Sequence, residues 1–152
     1  MLGSRESAKL LPSHPVESWQ AAAICNRVRM MIMSTVFDDA ISAHTSWVTR
    51  FGNSMRGIDR ESFDPEQIRD DTICEFGRWL HANATLFLDI ERYEQLNRLH
   101  QSFHEEAAEI AAMLGQNARP RTLQARLVGL SGLSGQLVRA IKDAADDHAA
   151  VP

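Results

Sequence analysis

Several things are scarce in this chain of 152 residues, and each scarcity excludes something. Cysteine occurs twice, at Cys25 and Cys74, so one disulfide is conceivable but a disulfide scaffold is not. Basic residues are in no excess. With 16 Lys and Arg against 20 Asp and Glu the net charge is −4, and no nucleic-acid surface is expected. Long apolar runs are missing. The most apolar early stretch, A-A-A-I-C-N-R-V-R-M-M-I-M, is broken by Asn26, Arg27 and Arg29, so no membrane span is expected. Sustained alternation of β-branched and polar residues is also absent, which argues against strands. No charged-then-apolar leader opens the chain, and the expectation is a cytoplasmic protein with reduced thiols.

What is present is helical periodicity. Residues 1–18 are polar and hold two prolines, and they read as a flexible lead-in to a helical domain over 19–148. A long helix is expected from about Ser18 to about Asn53, with an inward stripe of Phe37, Ala40, Ile41, His44, Val48 and Phe51. Residues 55–71 form a connection with room for a helical turn. A short helix is expected from about Asp70 or Asp71 to about His81, with aspartates at its positive end. A third runs from about Asp89 to Leu114 with a stripe of Tyr93, Leu96, His100, Phe103, Ala107, Ile110 and Leu114. The last opens at Arg119-Pro120 and carries Leu123, Leu127, Leu130, Leu137 and Ile141, interrupted at Ser134. The fold class is therefore all-α: an antiparallel four-helix bundle with one additional short helix that carries a cysteine.

Two patterns are unusual for helices. Gly129, Gly132 and Gly135 recur in the last helix, which makes it either weak or closely approached by another helix. Met30, Met31 and Met33 are either core or an adaptable partner surface.

Four side chains carry the chemistry. His100 and His104 stand four apart, so they share a helix face. His44 lies on the apolar stripe of the first helix, where a lone histidine is ordinarily a satisfied core residue. Cys74 opens the short helix, where the N-terminal field favours a thiolate. Together, three imidazoles and one thiolate from three helices suit a tetrahedral zinc ion. His14, His81 and His148 sit in tails or at a helix end and are left outside the site.

The segments A-H-T-S-W at 43–47, C-E-F-G-R-W-L at 74–80 and H-Q-S-F-H at 100–104 together resemble the chemoreceptor zinc-binding domain family, over about residues 30 to 145. That pattern is a histidine followed three residues later by tryptophan, a cysteine in C-x-F/L-G-x-W, and an H-x-x-x-H pair. The resemblance implies that His44, Cys74, His100 and His104 are ligands of one Zn²⁺ per chain. It assigns Trp47, Gly77 and Trp79 to the structural signature. It further implies a homodimer and a sensory role, responsive to zinc and in some members to oxidants, in bacterial signalling such as chemotaxis or cyclic-di-GMP control. Its partners would be a chemoreceptor or a diguanylate cyclase. The chain has no G-G-D-E-F segment and no long heptad coiled coil, so it reads as a stand-alone member or an excised module.

Catalysis is not expected. Four protein ligands close a tetrahedron, whereas catalytic zinc keeps a position open. Gln101 stands where the H-E-x-x-H motif has its general base, and Glu105 and Glu106 are read as solvated. None of the six histidines follows a glutamate by three positions, as a di-iron bundle needs. The alternative to sensing is an adaptor bundle in which zinc is only a folding staple.

Overall fold

The computed structural model describes residues 15–59 and 61–149. Of the lead-in expected over 1–18, residues 1–14 lie outside the described residues, and the first helix is already formed at Pro15. Among the described residues every element is helical: α1 (Pro15–Met55), α2 (Pro65–Arg69), α3 (Glu75–Asn83) continued by a 3₁₀ turn (Ala84–Leu86), α4 (Ile90–Gly115) and α5 (Pro120–Ala149). The three long helices α1, α4 and α5 pack on one another. The two short ones occupy the remaining side, α2 against α4 and α3 against both α1 and α4. No described helix is long and apolar enough to cross a membrane.

The core follows the periodicity. On α1, Met33, Phe37, Ala40, His44 and Phe51 are buried at spacings of four, three, four and seven. On α4 the buried row is Leu96, His100, Phe103, Ala107 and Ile110, and on α5 it is Leu123, Leu130, Ser134, Leu137 and Ile141. Ser134, the break in the apolar row, thus lies inside the bundle. The N-terminal part of α1 differs. Ile24, Val28 and Met31 are exposed, Met31 at 70%. Of the three methionines, only Met33 is core.

The helix ends show where local rules operate. α1 does not stop at Gly52, which is buried against Leu127 of α5. It runs to Met55 and turns at Gly57, whose φ of +68° suits glycine. The connection holds the anticipated turn as α2. Asp64 caps it by accepting from the backbone N–H of Glu66 and Gln67, and Pro65 takes the first position. Asp89 caps α4 through the N–H of Arg92. The glycine row on α5 is not a close-packing surface. A methyl at Gly132 would meet nothing within 4 Å, and at Gly129 only a Glu106 carboxylate oxygen at 3.8 Å.

Short helix α3 is more firmly seated than its length suggests. Four of its nine residues, Phe76, Gly77, Trp79 and Leu80, are buried. Trp79 packs edge-on against Phe37 at 5.4 Å and lies 6.1 Å from Phe87. The far end of this segment is tied to α1, where Arg29 donates to the Leu86 carbonyl at 2.6 Å and lies over the Phe87 ring.

Candidate metal centre

Each of the four side chains arrives from a different local setting. His44 is carried inward on the middle of α1. His100 and His104 project from successive turns of α4. Cys74 is the N-cap of α3, extended at φ −74°, ψ 153°, so its side chain folds back over the first turn and its Sγ accepts from the Gly77 N–H at 3.2 Å. One ligand atom from each of His44, Cys74, His100 and His104 lies within 4.8 Å of the others. Donor atoms bound at ~2.0–2.3 Å to one tetrahedral zinc stand roughly 3.3–3.8 Å apart, so the group is slightly wider than a closed zinc shell. Sγ of Cys74 is already 3.2 Å from Nε2 of His100. The rings lie 4.6 Å (His100 to His104), 5.0 Å (His44 to His100) and 5.8 Å (His44 to His104) apart.

The tautomers follow from the hydrogen bonds. Nδ1 of His44 is 2.6 Å from the Ala40 carbonyl, and Nδ1 of His104 is 2.6 Å from the Ile68 carbonyl. A carbonyl oxygen can only accept, so both rings carry their proton on Nδ1 and leave Nε2 with a lone pair. Nδ1 of His100 lies 3.2 Å from an oxygen of Asp71, with the same consequence. All three imidazoles therefore offer Nε2. That of His104 is fully buried with no hydrogen-bond partner, a condition proteins avoid unless something else satisfies the atom. The donor set, its orientation and this orphaned nitrogen fit a zinc ion.

Burial sets the charge states. It holds the histidines in the neutral, ligand-competent form: His44 is lowered to about 4 and His100 to about 2 by desolvation, with smaller contributions from the neighbouring imidazoles. His104 is lowered for the same reason, opposed by its bond to Ile68. Cys74 corrects the sequence expectation of a favoured thiolate. Burial raises its pKa, and the Gly77 N–H of the helix N-terminus offsets this only in part. Without a cation the group is a thiol, and a metal would take the place of its proton.

Residues beyond the ligands complete the site. Phe76 and Phe103 pack edge-on against His44 at 5.8 and 5.0 Å and dry it on two sides. A cleft of about 160 Å³ between α1 and α3, lined by Val36, Ala40, His44, Cys74 and Phe76 among others, leads from solvent to the cysteine side. Glu105 is exposed, and Glu106 pairs with Arg126 of α5 at 2.7 Å. Two contributors were invisible to motif reading. α2 supplies the Ile68 carbonyl to His104. His81, set aside as a helix-end residue, joins the same Asp71 oxygen that holds His100.

A helical bundle that gathers three buried imidazoles and one half-buried thiol around a common point defines a protein with a candidate metal centre. The model of the chemoreceptor zinc-binding domain matches residues 44–111, which contain all four side chains, and over that segment the chain is similar to this family. No curated protein and no solved structure matches the chain.

Proposed function

We propose that this protein is a zinc-binding sensory module without catalysis of its own. One Zn²⁺ per chain would be held by Nε2 of His44, His100 and His104 and by Sγ of Cys74. The observation that carries this reading is the buried, unpartnered Nε2 of His104 facing the other three donors. Bound zinc would supply a positive charge that stabilises the Cys74 thiolate and links α1, α3 and α4. With four protein donors the shell would be closed, and of the residues around the histidine pair Gln101 and Glu105 are exposed and Glu106 pairs with Arg126.

Cys74 is the ligand able to release. Protonation of the thiolate, or its two-electron oxidation by a peroxide-class oxidant to the sulfenic acid, removes one donor. The cleft between α1 and α3 gives access to it. Freeing the whole of α3 would expose Phe76, Trp79 and Leu80, at about 1.5–3 kcal/mol each. Together that exceeds the roughly 2.5–4 kcal/mol that one of four ligands would contribute if a structural zinc site of ~10–16 kcal/mol is shared evenly. The conformational response is therefore local, confined to residues 70–77 and the first turn of α3. In the cell the module would act in the cytoplasm as a homodimer, joined through the exposed Val28 and Met31 stripe of α1. Ala22, nearer the start of the same helix, has its side chain outside the described residues. The output would pass to a chemoreceptor or diguanylate cyclase.

Elemental analysis of wild type and Cys74→Ala tests the site. One zinc per chain, weakened in the variant, is expected, and metal-free wild type after purification without chelators refutes the reading. Chelator titration separates sensor from staple. Reversible zinc release from a folded protein supports sensing, while unfolding on release supports the staple.

A further inference from the structure

The segment between α2 and α3 carries a device that the ligand motif does not contain. One carboxylate oxygen of Asp71 lies 3.2 Å from Nδ1 of His100 and 3.1 Å from Nε2 of His81, at the opposite end of α3. The Asp71 backbone carbonyl lies 3.5 Å from Sγ of Cys74. A single residue thus touches two of the four candidate ligands and bolts both to the end of the short helix. The neighbouring aspartate makes the contrast. Asp70 spends its carboxylate on the N–H and hydroxyl of Thr72, an ordinary local turn. The Asp71 carboxylate makes no such local bond and points across to α4. It is largely shielded, with 14% side-chain exposure, and His100 is fully buried.

The geometry points to Asp71 as a positioning residue for the metal centre. Its carboxylate accepts from His100 Nδ1–H, holds that ring in the tautomer that presents Nε2, and is itself oriented by His81. A carboxylate in this position makes the imidazole a stronger donor, and losing such an outer contact typically weakens metal affinity about 10–100-fold. The inference rests on the four-ligand reading above. It adds that affinity is set partly from outside the motif, through a chain from the edge of α3 to the middle of α4.

The test uses the full chain as wild type, Asp71→Ala, Asp71→Asn and His81→Gln. Long-range ¹H–¹⁵N correlation of the metal-free protein reads the His100 tautomer, and competition with a chromophoric chelator reads zinc affinity. In wild type the Nδ1–H form is expected. In Asp71→Ala it gives way to the Nε2–H form or a mixture, and zinc affinity drops about 10–100-fold. Asp71→Asn has the same shape and an accepting oxygen, so it keeps the Nδ1–H form and recovers part of the affinity. His81→Gln, which touches no ligand, weakens binding only a few-fold. An unchanged tautomer with affinity within twofold of wild type in Asp71→Ala overturns the assignment. So does an equal loss in Asp71→Ala and Asp71→Asn with the tautomer unmoved, which would trace the loss to loop folding. If wild type binds no zinc, the four-ligand reading fails while the tautomer measurement still decides the role of Asp71.

Discussion

Gly77→Ala is the smallest substitution that should damage both the fold and the site. A methyl at this position would stand 1.8 Å from the Asp71 carbonyl oxygen, 2.8 Å from its carbon and 2.9 Å from Cε1 of His100. Non-bonded heavy atoms settle at roughly 3.5–4.0 Å, so the backbone must move by more than an ångström. Every way of moving it displaces a candidate ligand. Retreat of the 70–74 loop carries Asp71 and Cys74 away, and a shift of His100 breaks its bond to Asp71. Overpacking costs about 1–3 kcal/mol, and a clash with backbone falls at the upper end. Replacing glycine by alanine in a helix returns up to about 1 kcal/mol. The net expectation is a loss of about 2 kcal/mol in stability, and the misplaced ligands add a zinc-affinity loss of roughly 30-fold if a similar energy is forfeited there. Urea denaturation and chelator competition measure the two effects. Gly52→Ala is the control. It is equally buried, but its methyl would meet Arg56 and Leu127 at 3.6 Å, ordinary contact, so stability should hold or rise slightly. A Gly77→Ala protein as stable and as zinc-avid as wild type would show that the loop does not sit against α3 as described.

Three other perturbations separate the contributions. The metal-free protein should be pH-sensitive, because His44 and His100 are held neutral in the fold, at about 4 and about 2. Their unfolded counterparts take up protons near 6.5, so the unfolded state gains as pH falls below that value. Stability is thus complete above pH ~6.5 and declines at up to ~1.4 kcal/mol per pH unit for each histidine down to its folded value. Equal urea midpoints at pH 7.5 and pH 5 would contradict this. Gly132→Ala should raise thermal stability by up to about 1 kcal/mol, since the position is helical and open, and a destabilised variant would mean that something packs there. Trp79 emission should change only modestly on zinc removal, because its packing on Phe37 and Phe76 does not depend on the ion. A shift to the emission of a fully solvated indole would mean that α3 detaches as a whole.

Much of this molecule was legible before any coordinates. The helical class and the inward faces of α1, α4 and α5 are written in a 3.6-residue period, which covalent geometry imposes locally. His44 sits between Phe37 and Phe51 on such a face, and His100 and His104 share another, so the candidate ligands were visible as residues. The boundaries were less so. Gly52 resembled a stop but is a packing contact with α5, and only the partner helix distinguishes the two. The α5 glycines allowed two readings, and the open space around Gly132 removes the close-packed one within this chain.

What only tertiary structure decided is the protonation of the donors and the tautomers of two of the three histidines, since the His44 tautomer is set within its own helix by Ala40. The tautomers of His104 and His100 depend on Ile68 and Asp71, 36 and 29 residues away. The protonation of Cys74 depends on how deeply α3 is buried, and that reverses the inference drawn from its place at a helix N-terminus. Hydrogen-bond acceptors and local dielectric come from whichever chain segments fold alongside a residue. Neighbours in sequence mark the candidate ligands, and neighbours in space set their protonation.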